Sequence, residues 1–184
     1  MVTFEGTRPG GRSARIQQSV HDATRELLAS GGRDDLTVQQ IALRAGVNPT
    51  TIYRRWGDLS VLLSDVATER FRGVEPPAHT GSLEGDLLLW AEQFIEEMGS
   101  GPGRSYTADV LAGDHTGKNA GACARHCDGT VSEILGRFPQ ESVPAVDDVL
   151  DYVVAPIMYR ILFARDRSFD GFVPRLIHGV LSQH

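Results

Sequence analysis

The feature that most constrains the fold of this sequence is a dense run of helix start and stop signals in its N-terminal third. Thr37 and Gln40 have the spacing of a capping box, which gives partners to free N–H groups at the start of a helix. Gly46 is placed to end that helix in a left-handed conformation. Asn48 followed by Pro49 is typical of the start of a second helix. These signals predict two short helices joined by a tight turn.

The two predicted helices, 37–45 and 48–56, have the arrangement of a helix-turn-helix motif. Ile52 and Trp56 define the inner face of the second helix, so its other side chains face outward. The outward side chains are Pro49, Thr50, Thr51, Tyr53, Arg54 and Arg55. In such motifs the second helix enters the major groove, where Arg can contact guanine and Thr a thymine methyl, while hydroxyl groups contact phosphate. The spacing alone also fits a three-helix corner with an exposed basic edge.

The remaining sequence predicts an all-α fold. Apolar residues recur at spacings of three and four, and strict alternation is scarce. About nine helices are expected, three of them in an N-terminal head and the rest in a helical body. The helices outside the motif are expected at 12–30, 58–72, 83–98, 104–112, 118–137, 145–165 and 170–181. Pro156 should kink the helix that contains it, because proline lacks a backbone N–H.

The charge distribution divides the chain into two parts. Residues 1–72 hold ten Arg against eight carboxylates, a net charge of +2, whereas residues 73–184 have a net charge of −8. A Pro- and Gly-containing stretch at 74–82 is the best boundary candidate. We therefore expect domains 1–72 and 73–184. No apolar run has the length of a membrane span or of a signal-peptide core, so a cytoplasmic protein without a membrane partner is expected.

The segment DDLTVQQIALRAGVNPTTIYRRWGDLSVLLSDV, residues 34–66, resembles the DNA-binding domain of the TetR family of bacterial transcription regulators. The resemblance extends over roughly residues 12–72. Its matching elements are Leu36-Thr37-Val38, Ile41-Ala42, Ala45-Gly46-Val47, Thr51-Ile52-Tyr53-Arg54-Arg55-Trp56 and Leu62-Leu63. The resemblance implies a three-helix DNA-binding head, a fourth connecting helix, and a helical C-terminal domain that dimerises and holds a small-molecule pocket.

The resemblance also assigns roles within the head. It places base contacts on Pro49, Thr50, Thr51 and Arg54, and phosphate contacts on Thr37, Tyr53 and Arg55. One position departs from the family pattern, because Leu59 stands where relatives carry a phosphate-binding Lys. Arg12, Arg15 or Arg44 would have to compensate for it. Arg8, in the arm formed by residues 1–11, either reaches DNA or belongs to a solvated tail.

The last two predicted helices have wide apolar faces. They carry Val149, Val153, Ile157, Ile161, Phe172, Leu176, Ile177 and Val180. A helix that is apolar on more than one face needs more than one partner. The pattern fits a monomer core as well as a dimer contact, and the resemblance favours a homodimer whose two-fold axis matches a palindromic operator.

Aromatic and polarisable side chains on the body helices suggest a ligand site. The candidates are Trp90, Phe94, Met98, Tyr106, Cys123, Cys127, Tyr152 and Tyr159, a set that equally describes a core. Cys123, His126 and Cys127 share one side of a helix and could hold a soft metal. No further ligand is evident in the sequence, so we expect neither a metal site nor a cofactor.

Together these features predict a repressor that binds operator DNA as a homodimer and is released by a small-molecule effector. One alternative is a DNA-binding protein without an effector. Another is a metal- or thiol-responsive regulator or a helical enzyme. The sequence lacks a nucleophile elbow, a phosphate-binding loop and paired catalytic carboxylates, so no enzymatic activity is expected.

Overall fold

A computed structural model describes residues 10–31, 33–69, 77–140 and 142–183. These residues contain helices and connecting turns without a β-strand, which confirms the all-α prediction. Contacts divide the chain between Val66 and Ala67 into an N-terminal and a C-terminal unit. The predicted boundary at residue 72 lies outside the described residues, as does Arg8. No described helix is both long and apolar enough to cross a bilayer.

The described part of the N-terminal unit contains three helices, one short 3₁₀ turn and most of a fourth helix, which continues past Val66. The helices are α1 (Gly10–Ser30), α2 (Val38–Ala45), α3 (Pro49–Trp56) and α4 (Leu59–Glu69), with the 3₁₀ turn at Arg33–Asp35. Apolar side chains of all four helices form one core. Its most buried members are Val20, Ile41, Ile52 and Leu62, each with no exposed surface.

The helix boundaries in this unit follow the predicted capping signals. The Thr37 hydroxyl accepts the N–H of Gln40, whose side chain in turn accepts the N–H of Thr37 at 2.8 Å. Gly46 adopts φ 67°, the left-handed conformation that glycine tolerates without steric penalty. The side chain of Asn48 accepts the N–H of Thr50 at 2.9 Å. Both ends of the turn between α2 and α3 are therefore fixed locally.

Five further helices lie among the described residues 77–140 and 142–183 of the C-terminal unit. They are α5 (Leu83–Gly99), α6 (Gly101–Gly113), α7 (Lys118–Gly136), α8 (146–163) and α9 (Phe172–Leu181). The start of α6 differs from the predicted position 104. Ser100 ends α5, and its hydroxyl caps α6 by accepting the N–H of Gly103 at 2.9 Å. A Cβ at Gly103 would collide with the carbonyl oxygen of Glu97, so this close succession of two helices requires glycine there.

Helix α8 contains a π turn at Leu150–Val154 rather than a regular α-helical path. The N–H of Ala155 donates to the carbonyl of Leu150, five residues back. Pro156 follows directly, and because it has no N–H it cannot continue the regular ladder. The perturbation predicted at Pro156 is thus a local widening of the helix.

The core of the C-terminal unit contains most of the residues predicted for the dimer contact. Six of its proposed residues are already covered within one chain. They are Val149, Val153, Ile157, Ile161, Ile177 and Val180, none more than 3% exposed. Only Phe172 and Leu176 keep partial exposure. Six of the eight side chains thus pack within one chain and two present some surface, and the predicted dimer contact stays a prediction.

A buried ion-pair network ties the start of the described C-terminal segment to α5 and α7. The carboxylate of Asp86 is fully buried and accepts the backbone N–H of Thr80 at 2.6 Å and a guanidinium N–H of Arg137 at 2.8 Å. The ring of His79 lies 2.9 Å from the same carboxylate. Burial alone would raise the pKa of Asp86, but these hydrogen bonds outweigh it and hold that pKa well below its usual range. Arg137 also donates to the carbonyl of Pro77 at 3.0 Å.

We expect Arg137→Met to lower the free energy of unfolding by about 3–5 kcal/mol at pH 7, because it leaves a buried carboxylate without its cation. In wild type the folded-state pKa of Asp86 lies below its unfolded value, so its stabilisation is complete above the unfolded pKa and is lost as the pH falls. In the variant the Asp86 carboxyl takes up a proton more readily. The difference in unfolding free energy between wild type and variant should therefore narrow as the pH falls from 7 to 3. Urea unfolding followed by circular dichroism measures both effects.

The matched control is Arg125→Met, which removes an exposed guanidinium from α7. It should change the unfolding free energy by less than about 0.5 kcal/mol. Equal losses in the two variants would contradict the role given to the buried pair.

Candidate functional site

The second helix of the helix-turn-helix, α3, presents a polar outer face. Ile52 is fully buried and Trp56 is 6% exposed, so these two residues anchor the helix on the core. Thr50, Tyr53 and Arg54 are exposed, and the phenol of Tyr53 keeps 44% of its surface. The remaining outward positions, Pro49 and Thr51, are half-buried. The structure therefore brings the predicted base-contact set onto one helix with Arg54 fully available.

The inner end of α3 is held by the carboxylate of Asp65 on α4. The same oxygen of Asp65 accepts the indole N–H of Trp56 at 2.9 Å and the side-chain amide of Gln17 at 3.3 Å. The ring of His21, which has no exposed surface, lies 3.1 Å from it and 5.8 Å from the Trp56 ring. This junction of α1, α3 and α4 was not predicted, since its members have no common spacing in the sequence.

Arg55 is held against α1 by two side chains. Its guanidinium donates to the hydroxyl of Ser13 at 2.8 Å and to the side-chain carbonyl of Gln17. It also lies 5.3 Å from the centre of the Trp56 ring. Because Gln17 is bonded to Asp65 as well, the position of Arg55 is coupled to the buried junction. An Arg side chain has five N–H donors, so some remain for a phosphate.

Two other predicted contact residues are engaged within the chain. Arg44 forms an ion pair with Glu26, with its Nε 2.6 Å from the carboxylate. The N–H of Thr37, predicted to contact phosphate, is used by Gln40 in the capping box. Leu59, at the position where a Lys was expected, packs against the N-terminal core.

Of the residues proposed to replace that missing Lys, Arg44 is therefore neutralised in part by its ion pair. Arg12 and Arg15 are exposed on α1. Neither has an ion pair with another described residue. They are the stronger candidates to replace the missing cation.

A cavity of about 430 Å³ lies within the C-terminal unit, a size suited to a small molecule. Side chains of α5, α6, α7 and α8 line it, together with Pro77. Five predicted ligand residues line this cavity, namely Trp90, Phe94, Met98, Cys123 and Cys127. The rings of Trp90 and Phe94 lie 5.8 Å apart.

Three predicted ligand residues are absent from the cavity lining. Tyr152 and Tyr159 are 54% and 59% exposed on the outside of α8, and Tyr106 on α6 does not line the cavity either. The α8 side chains that do line it are Leu150, Val154 and Met158, which follow the buried Val149, Val153 and Ile157 by one position. In the sequence, this second apolar row, one residue after the first, could have identified the α8 side chains that line the cavity.

The two cysteines in the cavity wall are thiols rather than thiolates at neutral pH. Burial, together with the charge of Asp114, raises the pKa of Cys123, although a hydrogen bond with Thr68 opposes this. Burial and the neighbouring Cys123 and Asp128 raise the pKa of Cys127 to about 11. Among the described residues, no group of three His, Cys, Asp or Glu side chains is placed to hold a metal ion.

The described residues form an all-helical protein with a helix-turn-helix head, and known proteins are similar to it in sequence and in fold. Residues 20–66 match the family described as bacterial regulatory proteins, tetR family. The regulator AqdR from Rhodococcus erythropolis is 35% identical over 91 residues, 50% of this chain and 44% of that protein. This chain therefore spans less than half the length of the first curated relatives it matches.

Two longer matches extend over nearly the whole chain. The uncharacterised regulator YdeS from Bacillus subtilis is 25% identical over 186 aligned positions, with 95% of this chain and 92% of that protein covered. A TetR family transcription regulator from Marinobacter aquaeolei superposes with a TM-score of 0.53 at 14% identity, covering 93% and 96% of the two chains. Residues 20–66 are therefore similar to the tetR family of regulatory proteins, and the chain as a whole shares the fold of the solved TetR family structure.

We expect Cys127 to react slowly with iodoacetamide at pH 8, because only the thiolate is nucleophilic and its pKa is about 11. In the Cys123→Ser variant, the rate should be at least about tenfold below that of an unperturbed thiol and should keep rising above pH 9. Mass spectrometry of the alkylated chain gives the rate. The same variant unfolded in urea is the control, and an equal rate in both states would show that the thiol is not protected.

Proposed function

We propose that this protein is a transcriptional repressor that binds a palindromic operator as a homodimer and is released by a small-molecule effector. The observation that carries the DNA-binding part is the outer face of α3, where Thr50, Tyr53 and Arg54 are exposed on a helix anchored by Trp56. The similar proteins AqdR and YdeS support DNA binding by this chain, because both are named as HTH-type transcriptional regulators.

The proposed contacts divide by chemistry. Arg54 would donate two N–H groups to a guanine, and the methyl groups of Thr50 and Thr51 would contact thymine. Tyr53 and Arg55 would contact phosphate, together with the exposed Arg12 and Arg15 of α1. These Arg residues lie in the part of the chain with a net positive charge. This part can therefore attract phosphate although the chain as a whole is acidic.

The homodimer is proposed to form through the outer face of α8. Tyr152, Tyr159 and Phe163 recur at spacings of seven and four, so they form one stripe, and they are 54%, 59% and 75% exposed. Contiguous exposed aromatics of this kind mark protein–protein contacts. Phe172 and Leu176 on α9 are half-buried and available to extend the contact. A two-fold dimer would present two copies of α3 to two half-sites.

The effector is proposed to bind in the C-terminal cavity. A ligand that binds better to the form of the protein with low DNA affinity shifts the population toward that form. A constitutive DNA-binding protein is the alternative, and it predicts that occupation of the cavity leaves DNA affinity unchanged.

We expect Arg54→Ala to weaken binding to the operator by about 10- to 100-fold, because a bidentate contact to guanine contributes about 1–3 kcal/mol of discrimination. Binding to unrelated DNA should weaken much less. Fluorescence anisotropy with DNA from upstream of the encoding gene, at two salt concentrations, measures both affinities.

Arg54→Lys is the matched variant, because it keeps the charge and loses the planar pair of donors. It should retain affinity for unrelated DNA but lose preference for the operator. If Arg54→Ala and wild type bind the operator equally, α3 is not the helix that contacts the bases.

We expect Phe163→Glu to convert the dimer to a monomer, since it places a charge in the proposed aromatic contact. Sedimentation equilibrium gives the mass directly. Leu43→Glu is the control, because Leu43 is 86% exposed on α2 and lies outside the proposed contact. A Phe163→Glu protein that keeps the dimer mass would place the interface elsewhere.

A further inference from the structure

The guanidinium of Arg55 is held by neutral groups rather than by a carboxylate. Its Nη1 donates to the Ser13 hydroxyl at 2.8 Å, and its Nη2 donates to the side-chain carbonyl of Gln17. No ion pair joins it to another described residue. Arg44 on α2 is the contrast, because the carboxylate of Glu26 lies 2.6 Å from its Nε and offsets part of its charge. Arg55 is therefore held in place by contacts that leave its positive charge uncompensated.

The orientation of the Gln17 amide is set by Asp65. The amide nitrogen of Gln17 donates to Asp65 Oδ2 at 3.3 Å, and the carbonyl oxygen at the other end of this amide accepts from Arg55. A reversed amide would place oxygen against the carboxylate and N–H against the guanidinium, so both contacts would become repulsive. Asp65 also accepts the indole N–H of Trp56, the residue that follows Arg55. A closed ring of contacts thus runs from Arg55 through Gln17 and Asp65 back to α3.

Gln17 keeps the two charges of this ring apart. It lies between the Asp65 carboxylate and the Arg55 guanidinium and contacts both. A direct ion pair would also hold the Arg55 side chain, but it would offset the charge that attracts a phosphate. A neutral amide, with a donor at one end and an acceptor at the other, fixes the orientation without that loss. A glutamate at position 17 would lack the donor and would compete with phosphate for Arg55.

We propose that Gln17 is a positioning residue for DNA binding, which directs the guanidinium of Arg55 toward a backbone phosphate in an orientation set by Asp65. The inference rests on the phosphate contact proposed for Arg55. Because every DNA sequence has the same phosphates, Gln17 contributes to affinity and leaves the preference between sequences unchanged.

A double-mutant cycle between Gln17 and Arg55 tests this role. We expect Gln17→Met to weaken binding to operator and to unrelated DNA alike, by about threefold to tenfold, because a hydrogen bond to a charged group is lost. In the Arg55→Met background the same substitution should have less than about a twofold effect, since the side chain that Gln17 positions is gone. Fluorescence anisotropy with the full chain measures all four affinities. An equally large loss in the absence of Arg55 would show that Gln17 acts by another route.

Gln18→Met is the matched control on the same helix. Gln18 is exposed, and its side chain donates to Asp22 of α1 rather than to a residue of α3. The substitution should change both affinities less than about twofold, as for other surface positions. A loss equal to that of Gln17→Met would contradict the role of Gln17.

Gln17→Glu tests the requirement for a neutral side chain. It should weaken DNA binding more than Gln17→Met does, because the added carboxylate pairs with Arg55 and repels phosphate. A smaller loss than in Gln17→Met would show that the separation of charges is unimportant.

A measurement without DNA separates positioning from DNA binding. The Nε–H signal of Arg55 is identified by its loss in the Arg55→Met spectrum, and ¹⁵N relaxation reports its motion on the picosecond-to-nanosecond timescale. Its order parameter should fall in Gln17→Met and also in Ser13→Ala, which removes the exposed partner of Nη1. It should stay unchanged in Gln18→Met. A merely structural role of Gln17 would lower stability without releasing this side chain, so an unchanged order parameter in Gln17→Met would overturn the proposal.

The two measurements distinguish failure of this inference from failure of the proposed function. If Arg55→Met binds DNA as tightly as wild type, the phosphate contact of Arg55 and the role of Gln17 are both wrong. If Arg55→Met weakens binding and Gln17→Met does not, only the role of Gln17 is rejected.

Discussion

The position of α3, the second helix of the helix-turn-helix, depends on one carboxylate, that of Asp65 on α4. It accepts hydrogen bonds from Trp56 on α3 and Gln17 on α1, and it contacts the buried ring of His21. Removing the carboxylate would take away the acceptor of the buried Trp56 indole N–H, which is far less favourable than losing an exposed contact. Apolar packing brings the three helices together, and these directional bonds set how α3 is rotated on the core.

The parts of this unit that could be predicted from sequence are those in which cause and effect are close along the chain. The capping box at Thr37, the left-handed Gly46 and the Asn48 cap act within four residues, so their patterns are visible in the sequence. The Asp65 junction joins residues 44 and 48 positions apart. Nothing local marks Gln17 or His21, because their role exists only once α1 lies against α4.

The C-terminal unit shows a different limit of sequence reasoning. Periodicity identified the apolar face of α8 correctly but did not say what covers it, and Val153 proved to face the chain's own core. Residue type was a weaker guide still. Tyr152 was grouped with the ligand residues for its ring, yet the cavity is lined by Val154, two residues further along the helix, while Tyr152 is exposed on the outside. The side of a helix that a residue occupies depends on packing.

The contacts of Arg55 have a consequence for the entropy of the phosphate contact proposed for it. A long cationic side chain in water samples many rotamers, and fixing one of them on association is entropically unfavourable. Here Ser13 and Gln17 already restrict the guanidinium before any DNA arrives. The side-chain entropy of Arg55 is therefore lost mainly when the head folds. A phosphate that binds this preorganised guanidinium would cost little further side-chain entropy. The affinity lost by breaking the Gln17 contact would consequently be temperature-dependent, growing as the protein is warmed.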